Sequence, residues 1–494
     1  MFIGGLDIGT TGCKLTVFDE KGKQLKKSYC DYPHLIKTGT YEVDANAILQ
    51  GVFTVISDIA KEYPNLKGIG ITSFGESFVA TDNNGNPLKN VMLYTDPRGA
   101  EQCVTLCEKL GAEHIADIAG VEPHEMYSLP KVMWLKENEP ETYSKADHIF
   151  LMEDFVVYHL TGVKQIDYSL ATRTMAFDIR NLEWSDEIFE AAGVDKNLFS
   201  KAVPTGTAAG HITEDVAKKT GLNSDTVIVC ISHDQIAAAV GAGVFDSDTA
   251  VDGAGTVQCI TPIYDEIPDM RVMTKGKYAV VPYVIPGKYV CYAFSYTGGA
   301  LIQWCVNTLC KKEKEAAKEQ GVSVNQYLEE RSESPTGLLV LPHFVGAATP
   351  YMDNGSKGTI VGMTIDTDVA DIYRGCMEGV VYEMVLNMDW LKDSGIHFTS
   401  LAATGGGARS EVWMQMKADM LNMPITSLET VDAGTVGSAM LTGIAVGVFA
   451  DLEEASNVMV HPVKTYEPRQ EMHDKYMKYY EKYSKLYDSV RALM

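Results

Sequence analysis

The chain has 494 residues, 46% hydrophobic and 22% charged, with a formal net charge of −24. That length exceeds one ordinary hydrophobic core and calls for two or more domains, while the composition excludes a disordered or fibrous chain. The acidic balance repels phosphate backbones and anionic lipid, so neither nucleic acid nor membrane is an expected partner, and an anionic ligand must be held by local amides or a metal. The ten cysteines show no Cys-x-x-Cys pair and no apolar run approaches a membrane span, as expected of reduced thiols in a cytoplasmic protein.

In chain order, FIGGLDI at 2–8 predicts a strand, and KLTVFDEKGKQL predicts a second that closes on a turn at Lys21-Gly22. The loop between them, DIGTTGCK, lacks P-loop spacing. It is either an ordinary hairpin or a cradle that aims backbone N–H groups, Thr10, Thr11 and Lys14 at an anion, with Asp7 suited to a hydrated Mg²⁺. LKGIGITSFGESFVATDNNGNPL reads as strand, loop and strand, with Asn84-Gly85 as its turn signal. Helical patterns cover 98–110 and 129–147, and DYSLATRTMAFDIRNLEW reads as polar strand and turn. DTVIVCISHDQ is an apolar strand of the buried parallel type that ends on His233, Asp234 and Gln235, and a small-residue helix follows.

The DGAGT of SDTAVDGAGTVQCITP mirrors DIGTT, so the chain reads as two similar halves meeting near 244–248. Gly405, Gly406 and Gly407 then lie between an apolar strand and a helix, where backbone can approach a flat ligand or a phosphate; Rossmann spacing is absent. At the C-terminus, Tyr476, Tyr480, Tyr483, Tyr487 and Val490 share one face of an amphipathic helix, expected to dock on its own domain.

Taken in order, DIGTT, GVEPHEMYSLPKVMWLKENEP, LTG at 160–162, DYSLATRTMAFD, SHDQIAAAVGAG, LPHFVGAATPYMDNGSKGTIVGM and TGGGARSEVWMQMKADMLNMPI resemble the FGGY carbohydrate kinases across essentially the whole chain. The resemblance implies an α/β protein of two ribonuclease-H-like domains, as in the actin-like ATPases, with a catalytic cleft between them. Residues 1–245 would bind the sugar and supply the base, and residues 246–494 would bind the nucleotide. ATP and Mg²⁺ are the implied cofactors, and a small sugar and ATP the partners, with a homodimer left open. Asp234 would be the catalytic base; Asp7 and Asp234 would face the metal; Thr10, Thr11, Lys14, Gly255 and Thr256 would line the phosphates; Gly406, Gly407 and Ala408 would border the adenosine.

The same resemblance puts Phe74, Gly75, Glu76, Asp96, His233, Asp234 and Gln235 around the sugar. Asp96 and Arg98 either frame that pocket or pair with one another, and His233 reads as a core histidine bonded to backbone rather than a second base. Glu76 falls where glycerol kinases carry a polyol-binding glutamate, but Gly75 replaces their preceding arginine. Phe74-Gly75 and His233 are similar to fuculokinase and rhamnulokinase loops, a slight lean to a deoxy-ketohexose such as L-fuculose. The alternatives are xylulose, another ketopentose or a polyol, and, remotely, a non-catalytic actin-like nucleotide switch. Ala347 and Ala348 depart from the Gly-Glu-Arg-Thr-Pro read by many members.

Overall fold

The structure is a computed structural model that describes every residue except Thr38 and Val431. Among the described residues no helix is long and apolar enough to cross a membrane, and all ten cysteines are free thiols. Two mixed sheets organise the chain.

The first sheet runs Thr207–His211, Val227–His233, Gly68–Ser73, Phe2–Ile8, Gly12–Asp19 and Gln24–Asp31. Val227–His233, Gly68–Ser73 and Phe2–Ile8 are parallel neighbours, and the flanking pairs are antiparallel. All six residues of Gly68–Ser73 are buried, as a strand covered on both faces requires. The second sheet repeats this plan. Pro462–Tyr466 lies antiparallel to Ile425–Leu428, which runs parallel to Ser400–Thr404 and through it to Thr249–Ala254; Thr249–Ala254 then pairs antiparallel with Gln258–Tyr264. The two hairpins expected to mirror each other therefore occupy the same place in two equivalent sheets, the architecture of the actin-like ATPases.

The halves are locked by two helices, Asp234–Gly241 and Ala433–Ala445. At their crossing a Cβ on Gly241 would stand 1.9 Å from the Ala433 carbonyl oxygen, and one on Gly437 would stand 1.9 Å from that of Ala237. Glycine at both positions lets the backbones touch. The Ala433–Ala445 helix belongs late in the chain yet packs on the first sheet, where Ser438 Oγ donates to Gly70 O at 2.9 Å.

Three local expectations change. The helix expected over 129–147 divides into Ser128–Asn138 and Pro140–Lys145, because Pro140 has no N–H to continue the ladder and starts a new helix instead. The C-terminal helix likewise divides into Gln470–Tyr483 and Leu486–Arg491, docked by Tyr483 Oη to Glu383 and Tyr487 Oη to Asp353. Tyr168–Thr172, read as strand and turn, is a short helix capped by Asp167, whose carboxylate accepts from Ser169 N and Leu170 N. Competition between a polar side chain and the backbone decides that last case.

Candidate active site

The strand Val227–His233 ends where the helix Asp234–Gly241 begins, which puts Asp234 at the first helical position. Its side chain keeps 34% exposure, while that of His233 beside it is 11% exposed. Burial raises the Asp234 carboxyl above its ordinary range, and Gln235, Lys14 and Arg173 partly offset that rise. The strand end is fixed from below: Asp167 accepts from Ser169 Oγ at 2.9 Å, and Ser169 Oγ accepts from His233 N at 2.9 Å.

His233 is buried, but its ring does not make the expected backbone bond. Nδ1 is enclosed without a partner, and Nε2 lies 3.5 Å from Asp234 Oδ1. Burial, with Arg173 adding to it, depresses the imidazole to about 4, so the ring is neutral near pH 7.

Glu76, close enough to His233 to act on its ring, stands on a left-handed backbone, φ 61°, an uncommon conformation for a residue with a side chain. Its carboxylate pairs with Arg173, whose Nε and Nη2 both donate to Oε1. Arg173 lies just after the short capped helix, and its guanidinium carbon sits 5.2 Å from the centre of the Tyr127 ring and 5.8 Å from that of Tyr292. Burial opposes the Arg173 charge; Glu76 and the two tyrosines more than compensate. The sequence reading missed Arg173 and Tyr94, the latter close enough to Glu76 and Asp234 for both to raise its phenol, after burial.

Phe74 packs in the first half's apolar core and is 5% exposed, as little as Glu76. One expected sugar contact is corrected. Asp96 is fully buried with both oxygens taken, by Arg98 Nε and Nη2 at 2.7 Å each and by Tyr41 N at 2.8 Å, and Glu42 also binds Arg98. Of the two readings for Asp96 and Arg98, mutual pairing is the one realised.

In the first hairpin Asp7 lies opposite Lys14 in register. Lys14 Nζ bridges Asp7 Oδ2 at 3.0 Å and Asp432 Oδ1 at 2.8 Å, and Asp432 Oδ2 also holds Lys27 at 2.8 Å. Lys14 is thus committed to carboxylates from both halves. Burial raises Asp7 to about 6; Lys14 opposes the rise, while Asp234 and Asp432 add to it. This surplus of negative charge fits a divalent cation, although no group of three or more His, Cys, Asp or Glu among the described residues could hold a metal alone. Thr10 and Thr11 lie in the tight loop closed by Gly9 N to Gly12 O, with Thr11 exposed at its tip.

The second hairpin differs chemically. Asp252, the counterpart of Asp7, is fully buried and neutralised by Lys417, whose Nζ reaches Oδ1 at 2.9 Å and Oδ2 at 2.7 Å. Its loop is braced by the start of the Gly299–Thr308 helix, where Gly298 N donates to Thr256 O and Gly299 N to Gly255 O. Beside it opens a cavity of about 810 Å³ lined by Gly299, Gln326, Glu329, Gly406, Gly407 and Trp413, among others. Gly405 is needed for packing, since its φ is 91° and a Cβ would stand 2.6 Å from Ala254 O; a Cβ on Gly406 would meet nothing within 4 Å. Ala408, expected to border the same cavity, is not among its lining residues and is buried at 8% exposure, turned inward by the short 3₁₀ turn Gly406–Arg409. Ala347 and Ala348 are buried as well.

Residues 2–241 match the N-terminal domain of the FGGY family of carbohydrate kinases, and residues 258–446 match its C-terminal domain. The chain is similar to a xylulose kinase of Bacillus subtilis (strain 168), 27% identical over 100% of this chain and 98% of the relative. It is also similar to a gluconokinase of the same organism, 27% identical over 92% and 90%. The crystal structure of a ligand-bound xylulose kinase from Lactobacillus acidophilus superposes with a TM-score of 0.89 at 23% identity, covering 99% of this chain and 98% of that one.

Proposed function

Because the chain belongs to the FGGY family of carbohydrate kinases, we propose that it transfers the γ-phosphate of ATP to a hydroxyl of a small neutral ketose, with xylulose the first candidate. The observation that carries this reading is Asp234, a partly open carboxylate at a strand end, flanked by the Glu76–Arg173 pair on one side and by Asp7 and Lys14 on the other. Xylulose kinases among the relatives favour a ketopentose. The lean toward L-fuculose rested on two local matches, and one of them, Phe74, packs into the core. A gluconate-like acceptor is disfavoured by charge: Arg173 is already neutralised by Glu76, so a substrate carboxylate would meet Glu76 and Asp234 without a free cation.

In this mechanism the Asp234 carboxylate accepts the proton of the attacking hydroxyl, the new O–P bond forms at the γ-phosphorus, and the bond to the β,γ-bridging oxygen breaks to release ADP. Burial of Asp234 brings its basicity closer to the working pH, as a general base requires. Gln235 steadies the carboxylate, and the Asp167–Ser169 relay fixes the strand end that carries it. The Gly9–Gly12 loop and the Gly255–Thr256 loop would hold the phosphates from opposite halves, and the cavity at Gly406 and Gly407 would take the adenosine. Asp7, with Asp234 near it, would hold Mg²⁺, which when bound neutralises phosphate charge. Lys14 would then balance Asp7 and Asp432 rather than serve the phosphates alone.

The test is Asp234→Asn assayed for sugar-dependent ADP release and, separately, for ADP binding by calorimetry. Turnover is expected to fall by at least about 1,000-fold with ADP affinity kept. Turnover within tenfold of the parent rejects Asp234 as base.

A further inference from the structure

Beside Glu76, the Arg173 side chain is 7% exposed, and its Nη1 is enclosed without a hydrogen-bond partner. Nε and Nη2 are both spent on a single oxygen, Glu76 Oε1. Oε2 of Glu76 takes no part in that contact. A buried guanidinium N–H left unpaired is costly, and Arg cannot relieve the cost by losing its charge. Arg173 therefore keeps one buried donor unspent beside the Glu76 carboxylate, close enough to Asp234 to lower its carboxyl, with its guanidinium carbon 5.2 Å from the centre of the Tyr127 ring and 5.8 Å from that of Tyr292.

Position 75 explains how Arg173 reaches this place. A Cβ on Gly75 would lie 2.8 Å from Arg173 Cγ and 3.2 Å from His233 Cδ2. Glycine thus leaves the volume that the Cβ–Cγ stem of Arg173, the residue just after the Tyr168–Thr172 helix, passes through on its way to Glu76.

We propose that Arg173 is a substrate-contacting specificity residue, with Nη1 donating to the carbonyl oxygen of an α-hydroxy ketone while Glu76 Oε2 accepts from the adjacent hydroxyl. This deepens the ketose-kinase reading above and rests on it. A ketose offers a carbonyl oxygen that can only accept, beside a hydroxyl that can donate. A polyol must turn a rotatable hydroxyl to the same donor, and an aldonate brings a carboxylate against Glu76. The clamp thus reads the oxidation state of the carbon chain.

The experiment compares xylulose, xylitol and gluconate as acceptors for the parent, Arg173→Gln and Gly75→Ala, with ADP affinity and thermal melting recorded for each. For Arg173→Gln, kcat/KM for xylulose is expected to fall about 100-fold and that for xylitol less than tenfold, which narrows the ketose-to-polyol ratio. Gly75→Ala, which displaces Arg173 and leaves both charges in place, is expected to narrow the ratio in the same direction, so the test survives if Arg173→Gln does not fold. Equal losses on xylulose and xylitol in folded variants overturn the clamp and leave Arg173 a structural partner of Glu76. A parent enzyme that turns over gluconate and neither neutral acceptor overturns the ketose reading itself, a distinct result.

Discussion

Behind the strand that leads to Asp234 three acids lie with almost no exposure: Glu153, Asp154 and Asp167. Asp154 Oδ2 accepts from Ser200 Oγ at 2.7 Å, but its Oδ1 has no partner, and burial pushes the carboxyl up to about 8. An unfolded aspartate titrates near 4, so between about pH 4 and pH 8 the folded chain holds a proton that the unfolded chain has lost. Stability from this group is complete below the lower value and declines as pH rises through the upper one, by up to about 1.4 kcal/mol per pH unit. Urea midpoints measured at pH 6 and pH 8 should fall in the parent and fall less in Asp154→Asn; equal slopes would remove Asp154 as the source. Such residues also mark the limit of sequence reading. Glu76 was legible because its loop matched a known pattern, whereas Arg173 was not, since nothing local says that a side chain 97 residues from Glu76 pairs with it and fills the gap at Gly75.

At the scale of elements, the crossing of Asp234–Gly241 with Ala433–Ala445 couples chemistry to architecture. Asp234 starts one helix, and Asp432, which holds Lys14, precedes the other. Gly437→Ala would drive a methyl into the Ala237 carbonyl, and backbone cannot yield there as a side-chain tip could. Overpacking of this kind costs about 1–3 kcal/mol and should separate the helices. A lower melting temperature is expected, together with a larger loss in kcat than in ADP affinity, because the cavity at Gly406 lies away from the crossing. Unchanged kcat would show that the spacing of the two helix starts is unimportant. The run after Gln235 was visible in sequence as a small-residue helix, but that it packs on the late run AGTVGSA was not, since each satisfies the same small-residue pattern alone. The hairpins were legible as a pair for a different reason: strand alternation and Gly/Thr turns are local, and both recur in order.

Across the whole molecule the two sheets share one strand plan while their hairpins have opposite electrostatic fates. Lys417, 165 residues from Asp252, seals the second carboxylate away, whereas Asp7 stays beside Asp234, Asp432 and Lys14 where the halves meet. Negative charge is therefore concentrated at the place where the proposed mechanism brings the polyphosphate, within a chain whose net charge is already −24. At low ionic strength that field extends about 30 Å and opposes the approach of a MgATP anion; near physiological salt it shrinks to about 8 Å. Raising salt from about 10 mM to about 150 mM should increase kcat/KM for MgATP by about threefold, whereas kcat/KM for a neutral ketose at saturating nucleotide should hold steady. Steady-state kinetics over a sodium chloride series decides the matter. A fall in kcat/KM for MgATP with added salt would mean that local cations such as Lys14 and Lys27, rather than the acidic surface, govern nucleotide capture, and the closed ion network at Asp432 would then have to open before the nucleotide docks.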